Sequence, residues 1–539
     1  MTTLTADSRI PSAEVCMFSE VLKHKASTIA GSTFALYEDG TEWTFEETLR
    51  EVKKTAKALK VLGVKEGDYV GVWLPNSPNL IRVWFAINYL GAVFVPLNTA
   101  YRGAILEHCI KTANVKLLVL HSDLLPRLTE INSDGLSDLI VLGKMTSIRI
   151  DGVKIHAETV LHSEFYDDVL PAKTAPWDTQ MVIYTSGTTG PSKAVLVSYL
   201  QLFTGSEATF KYTSVSDRFF ANLPLFHITG VAMVMRALFA GASFAMISNF
   251  KTGDFWDVVK KTQSTSAILI GVMATFLLKR EPSKIEKLHG LTSVMIVPLS
   301  EDAKVFSDRF NCSVYTAFAM SEVSTPLLSG PNPHPIGTCG KPRNGVEVRL
   351  VDDFDCEVPR GQVGELIVRA DRPWSFSHGY LGNPEATANA WRNGWFHTGD
   401  GFRQDDEDNF IFIDRIKDSI RRRGENISSF EVEAEICTHA SVREAAVVSV
   451  RSELGEDEIL AVISLVPGCE LNARDLVYYL VDRLPYFMVP RFVRFLQELP
   501  KTHTFKVHKH LLRSEGAVSG TFDREAEGIR LKRENLDVD

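Results

Sequence analysis

The sequence predicts an α/β protein. A large N-terminal domain of α/β sheets carries a β-rich subdomain, and a small α+β C-terminal domain follows. Three observations carry that prediction. Apolar runs suited to strands and helices alternate from Tyr69 onward, as parallel crossover units require. Between Gly337 and Arg369 the texture changes to apolar residues alternating with charged ones, the mark of antiparallel strands. At Asp414-Arg-Ile-Lys-Asp418 the charge density rises, and a second compact α/β pattern begins. The chain has 539 residues, too many for one core. The expected division is 14–413 for the large domain, 414–418 as a connecting segment, 419–515 for the small domain and 516–539 as a mobile tail.

Each element has a local reason. Residues up to about Ala13 are polar and read as disordered. Thr44-Phe-Glu-Glu47 is a capping box, and Leu49, Val52, Ala56 and Leu59 recur on one face of the helix it opens. Tyr69–Leu74 is a strand ended by the turn Pro75-Asn76-Ser77; an apolar helix runs from about Leu80 to Leu90, and Ala92–Val95 is the next strand. Lys116–Leu120 and Leu139–Leu142 continue the alternation. Met181–Ile183 and Ala194–Val197 are strands on either side of a Gly/Ser/Thr-rich loop, with a helix from Ser198 to Phe210 beyond. Gly241–Ile247, Ala267–Ile270 and Phe410–Ile413 read as strands; Val346–Leu350 and Gly364–Arg369 are the antiparallel pair. In the small domain Phe430–Cys437 is helical, and Ala445–Val450 and Ile459–Val466 are strands.

Composition narrows the function classes. A hydrophobic content of 45% and a charged content of 23% are ordinary for a globular protein. The net charge of −9 argues against a general nucleic-acid binder. The seven cysteines have neither metal-ligand nor redox spacing, which fits reduced thiols in a cytoplasm. No signal peptide is visible, and the most apolar run, Ala267 to Leu278, is too short to span a bilayer. The expectation is therefore a cytoplasmic protein without nucleic acid or integral membrane association, with a homodimer left open.

The stretch Tyr184-Thr-Ser-Gly-Thr-Thr-Gly-Pro-Ser-Lys193 carries the chemistry. Gly187 and Gly190 let the backbone turn; Thr185, Ser186, Thr188 and Thr189 supply hydroxyls; Lys193 adds a positive charge. A turn rich in donors with one cation suits a polyphosphate. It is not a Walker A loop, because two residues separate the glycines and Ala194 follows the lysine. Composition alone would favour a solvated Ser/Thr/Gly turn.

Five further runs stand in order along the chain: Leu223-Pro-Leu-Phe-His227, Phe318-Ala-Met-Ser-Glu322, Trp395-Phe-His-Thr-Gly-Asp400, Asp414-Arg-Ile-Lys-Asp418 and Leu499-Pro-Lys-Thr-His-Thr-Phe-Lys506. With the loop, they resemble the motifs of the acyl-adenylate-forming enzymes: acyl-CoA synthetases, luciferases and the adenylation domains of peptide synthetases. The resemblance runs from about residue 30 to 515. The chain departs from the family at Phe318, Ala319 and Ser321, at Phe505, and at Met295-Ile-Val-Pro298, where a Gly-Gly-Ala-Pro run is usual. Gly379–Thr387, Trp391–Trp395 and Arg421–Ser428 are similar in wording to the crotonobetaine/carnitine-CoA ligase branch.

The resemblance implies a two-step reaction using ATP, Mg²⁺ and coenzyme A, with a small mobile C-terminal domain. Thr185, Ser186, Gly187, Thr188, Thr189, Gly190 and Lys193 would hold phosphates. Glu322 would hold the metal, as one carboxylate beside a triphosphate can. Phe318 would border adenine, and Asp400 with Arg415 would bind the ribose; locally, Asp400 fits a turn aspartate equally well. His227, Gly230 and Met320 would line the acyl pocket, with Gly271, Val272 and Met273 as weaker candidates. Lys506 would be the catalytic lysine beside Thr185 and Glu322, although Lys501 and Lys509 fit a solvated surface in the same way. Gly424 and Arg421 would face coenzyme A, and Lys417 would be the hinge. The expected activity is an acid–thiol ligase forming AMP. The rivals are an adenylase loading a carrier protein in trans, a luciferase-like oxidative use, and a binding or regulatory homologue without catalysis.

Overall fold

Two seven-stranded sheets share one helix in the computed structural model, which describes residues 7–531 apart from 145–146, 163–165, 167–168, 186–190, 300–301, 336, 416–418, 423–424, 453–456 and 502–506. In the first sheet the order is Lys154–Ala157, Asp138–Leu142, Leu117–His121, Tyr69–Trp73, Val93–Pro96, Thr179–Thr185 and Lys193–Ser198. All neighbours are parallel except the last pair. Leu117–His121 is buried at every position, so it reads as a continuous apolar run rather than an alternating one.

The second sheet runs Ser313–Tyr315, Ser293–Val297, Ser266–Ile270, Arg218–Ala221, Ser243–Met246, Thr33–Tyr37 and Glu42–Thr44. Only the edge strand Glu42–Thr44 is antiparallel. Helix Pro78–Tyr89 joins the two sheets. Trp84 stacks on Phe94 of the first at 5.3 Å, and Phe85 lies 6.1 Å from Phe34 of the second. A helix held on both sides must be apolar almost all round, and Leu80 to Tyr89 are all buried. Its start is fixed by Ser77, whose Oγ accepts from the Leu80 amide, and by Pro78 in the first turn.

Local expectations hold with small shifts. The Thr44–Glu47 capping box is formed in both directions. The helix expected from Ser198 spans Tyr199–Thr209, with Ser198 as its cap. The apolar run 267–278 is divided between strand Ser266–Ile270 and helix Gly271–Leu278. No helix among the described residues is long and apolar enough to cross a membrane.

The β-rich subdomain is an antiparallel sheet of Val346–Val351, Val363–Ala370, Phe396–Gln404 and Phe410–Arg415. The small domain holds Val442–Arg451, Asp457–Leu465, Phe492–Phe495 and Phe522–Asp523, with a separate hairpin of Ser419–Arg422 and Glu425–Ser428.

Two expectations are corrected. The stretch after 516 is not a mobile tail as far as residue 531. Phe522–Asp523 extends the small domain's sheet, and buried Arg524 donates to the Pro490 and Ile529 carbonyls. At the other end, Arg9 donates to the Asp371 carbonyl and helix Ala13–Cys16 follows, so residues 7–13 are not disordered. In both places arginine–carbonyl bonds and a few apolar contacts do what composition did not advertise.

Candidate active site

The Gly/Ser/Thr-rich loop joins two antiparallel strands, as its flanking apolar runs imply. Thr185 closes the first strand directly across from Lys193, which opens the second. Both face one cavity of about 1780 Å³. Ser186, Gly187, Thr188, Thr189 and Gly190 lie outside the described residues. The end of the loop is held from two sides at Ser192. Its carbonyl accepts from His108 Nε2 at 2.8 Å, and its amide and hydroxyl donate to Glu431.

Glu322 occupies the turn between strands Ala317–Met320 and Ser324–Leu328, and it opens on the same cavity. Its Oε1 accepts from the Tyr380 hydroxyl at 2.9 Å. Segment 379–381 runs along strand Lys193–Ser198, with Leu196 donating to Gly379 and Leu381 to Ala194. That pairing puts the Tyr380 ring 5.0 Å below Lys193 Nζ. Burial, then the adjoining carboxylate, pushes the Tyr380 phenol far above its usual range, so it stays a donor. Among the described residues no group of three or more His, Cys, Asp and Glu could hold a metal alone. A divalent ion at Glu322 would share its remaining positions with phosphate oxygens and water, which suits Mg²⁺.

Asp400 is buried in strand Phe396–Gln404 and lines the cavity. The ladder to strand Val363–Ala370 is irregular here: Glu365 pairs with Gly401 and Ile367 with His397. Thr398, Gly399 and Asp400 therefore lie opposite Leu366 alone. On its other side Asp400 is in register with Arg415, whose side chain is outside the described set. Phe318 also lines the cavity, edge-on to Phe402 at 4.9 Å.

Away from these charged groups the cavity runs between helix Tyr199–Thr209 and the second sheet. Its inner wall includes Gly205, Ser206, Thr209, Ile268, Met295 and Ala317, all neutral. His227 and Met320 also line it. Gly230 does not: it is buried, and a Cβ there would meet the Pro224 carbonyl oxygen at 2.5 Å. The glycine lets helix Ile228–Ala240 lie against its own approach loop, and Ala232, two residues along on another face, is the wall residue instead. Gly271 packs on the Pro298 carbonyl, while Met273 faces the cavity.

The small domain closes the opposite side. Glu425 Oε2 lies 3.1 Å from His227 Nε2. Arg421, Arg451 and Arg513 also line the cavity. Lys506, Lys417 and Gly424 fall outside the described residues.

Tyr380, Glu365, His397 and Glu431 escaped the sequence reading, as did the lining residues Ala232, Arg451 and Arg513. Tyr380 and His397 stood inside quoted motifs, but nothing in the local pattern showed that they meet Glu322 and Glu365. Glu431 was one acid in an acidic helix, Ser429–Cys437.

The profile of the AMP-binding enzymes matches residues 22–381, and that of the AMP-binding enzyme C-terminal domain matches 431–506. A crotonobetaine/carnitine–CoA ligase from Salmonella agona (strain SL483) is 28% identical over 484 residues, 88% of this chain and 93% of the relative. The ligase of the same description from Salmonella typhi matches to the same extent. Among solved structures, a double mutant of o-succinylbenzoate CoA synthetase from Bacillus subtilis superposes with a TM-score of 0.79 at 21% identity, covering 92% of this chain and 98% of that one. An amide bond synthetase from Marinactinospora thermotolerans gives 0.79 at 22%, covering 92% and 99%.

Proposed function

The chain belongs to the AMP-binding enzyme family, and from that premise we propose that it is an ATP-dependent acyl-CoA ligase acting on a neutral, largely apolar carboxylic acid. One observation carries the reading: Thr185, Lys193, Glu322 and Asp400 open on a single cavity whose inner wall is uncharged. Such a cavity accepts an acid whose carboxylate meets the polar groups and whose body lies along the apolar wall.

The first step joins the acid to ATP. A carboxylate oxygen attacks the α-phosphorus, the bond to the β-phosphate oxygen breaks, and pyrophosphate leaves. Lys193 and the loop hold phosphate oxygens, Asp400 holds the ribose hydroxyls, and Lys506 neutralises charge as the bond forms. Mg²⁺ held by Glu322 would supply further positive charge at the phosphates. In the second step the sulfur of coenzyme A attacks the acyl carbon and AMP leaves; the thiol proton passes to phosphate or solvent. Arg421, Arg451 and Arg513 on the small domain support coenzyme A over a carrier protein, because guanidinium groups suit its phosphates.

Crotonobetaine and carnitine, for which the relatives are named, carry a quaternary ammonium, and the inner wall here does not favour one. Such a cation is held by a carboxylate or by a cage of rings. The residues that helix Tyr199–Thr209 and the second sheet's strands turn to the cavity include no acidic side chain; the rings Phe210, Phe250, Phe276 and Phe318 line it singly from separate elements, and Glu322 is engaged with Tyr380.

A pyrophosphate-release screen over carboxylic acids, with and without coenzyme A, tests the reading. The expected products are AMP, pyrophosphate and a thioester, and γ-butyrobetaine should lose to its neutral tert-butyl isostere by about a hundredfold. Release of ADP and phosphate would overturn the adenylation step, and equal use of the two isosteres would overturn the substrate class.

A further inference from the structure

Glu365 lines no part of the cavity, yet it holds the strand that presents Asp400. Its Oε1 accepts from the Gly399 amide at 2.8 Å. Its Oε2 accepts from His397 Nδ1 at 3.0 Å and from Arg392 Nη2 at 3.2 Å. His397 has no exposed side-chain surface, and its other nitrogen lies 3.8 Å from Asp355. The two residues before Asp400 thus owe their position to this network: Gly399, with φ of 74°, hangs from Glu365, and Thr398 donates to the Leu366 carbonyl at 2.7 Å.

The need for such a clamp follows from the register. Three residues opposite one cannot all keep ladder bonds, and a bulge leaves amides to be satisfied in another way. The Glu365 carboxylate stands in for the missing ladder partner at Gly399. Burial alone would raise its pKa, but the His397 and Gly399 hydrogen bonds, together with the positive charge of Arg392 and His397, outweigh that and hold it below the usual carboxylate value. The clamp is therefore an anion at neutral pH, and hydrogen bonds to an anion are the stronger kind.

We propose that Glu365 is a positioning residue for ribose recognition: it fixes the bulge so that the Asp400 carboxylate meets the two ribose hydroxyls of ATP. The proposal rests on Asp400 binding the ribose, as read above. Without the clamp Asp400 would still be present but loosely aimed, and a diol is discriminated only by a carboxylate held at the right spacing.

The experiment compares kcat/KM for ATP with that for its two deoxyribose analogues, lacking one or the other ribose hydroxyl, in pyrophosphate release. It uses the full-length enzyme and the variants Glu365→Ala, Glu365→Gln and Asp400→Ala. The wild type should prefer ATP, and Asp400→Ala should abolish that preference. Glu365→Ala should cut the preference by about tenfold or more, mainly through KM for ATP, and leave kcat with the analogues near wild type. Glu365→Gln should retain part of the preference, because one oxygen can still accept; it also serves if the alanine variant does not fold. If Asp400→Ala abolishes the preference while both folded Glu365 variants keep it, the positioning role is overturned. If Asp400→Ala keeps the preference, the ribose assignment itself falls, and the role of Glu365 with it.

Discussion

Glu431 Oε1 accepts two hydrogen bonds from Ser192, one from its amide at 2.7 Å and one from its hydroxyl at 2.6 Å, although 239 residues separate the pair. Ser192 lies at the end of the Gly/Ser/Thr-rich loop, and Glu431 lies in the small domain's helix Ser429–Cys437. The small domain is thus fastened to the loop by one carboxylate. Glu431→Ala should loosen that attachment, measured as a larger radius of gyration in solution scattering, whereas Glu431→Gln keeps an oxygen in place and should preserve it. An unchanged scattering curve for the alanine variant would show that other contacts fasten the domain.

The same pair sets a pH dependence. Burial raises the Glu431 pKa above its ordinary 4.5, partly offset by the Ser192 donors. A carboxyl with a raised pKa in the docked state binds its proton more tightly there. Its contribution to docking is therefore fullest below pH 4.5 and is lost as the pH rises through the docked value. Scattering across that range should show the wild type opening with rising pH and Glu431→Gln showing no such titration.

Tyr380→Phe removes one hydrogen bond to the Glu322 carboxylate and leaves the ring under Lys193. A bond to a charged group contributes about 1.5–3 kcal/mol. The Mg²⁺ concentration for half-maximal activity should rise about tenfold, with little change in melting temperature. A large loss of stability with unchanged Mg²⁺ response would make the tyrosine a packing residue instead.

Two neighbouring positions separate the wall of the cavity proposed for the acid from its support. Ala232→Phe should shift preference toward smaller acids in a folded enzyme, because Ala232 faces the space. Gly230→Ala should instead lower stability by roughly 1–3 kcal/mol, because the added carbon collides with backbone. Denaturant unfolding beside a substrate panel tells the two outcomes apart.

The two half-reactions should part company at two lysines. Lys506→Ala should stop pyrophosphate release yet still turn synthetic acyl-AMP and coenzyme A into thioester. Lys417→Pro, which fixes φ and removes an amide donor at the proposed hinge, should do the reverse. If both folded variants lose both halves equally, separate roles for Lys506 in the first step and for a hinge at Lys417 in the second are the wrong explanation.

The elements were legible where local rules decide them. The Thr44–Glu47 box, the strand–loop–strand around Lys193 and the antiparallel pair Val346–Val351 with Val363–Ala370 follow from caps, glycines and alternation. The cavity-facing motif residues Thr185, Lys193, Phe318, Glu322 and Asp400 were legible as a set through family resemblance. What was not legible depended on register and long-range approach. Glu365 matters because a bulge puts three residues opposite Leu366, and Tyr380 because residues 379–381 happen to lie along strand Lys193–Ser198. Gly230 was misplaced because motif membership does not say which way a helix turns its face. The last stretch was misread because Arg524 is buried by carbonyl acceptors, which composition cannot reveal.

The shared helix Pro78–Tyr89 bears on how the large domain comes apart. One face of it completes the first sheet's core through Trp84, and the adjacent face completes the second's through Phe85. Neither sheet can melt and leave the other intact, since the survivor would keep a helix with half its apolar surface in water. Residues 33–315 should therefore unfold as one cooperative unit with a single calorimetric peak. A gene fragment ending between the sheets, anywhere from 199 to 217, would encode a chain with no stable state of its own.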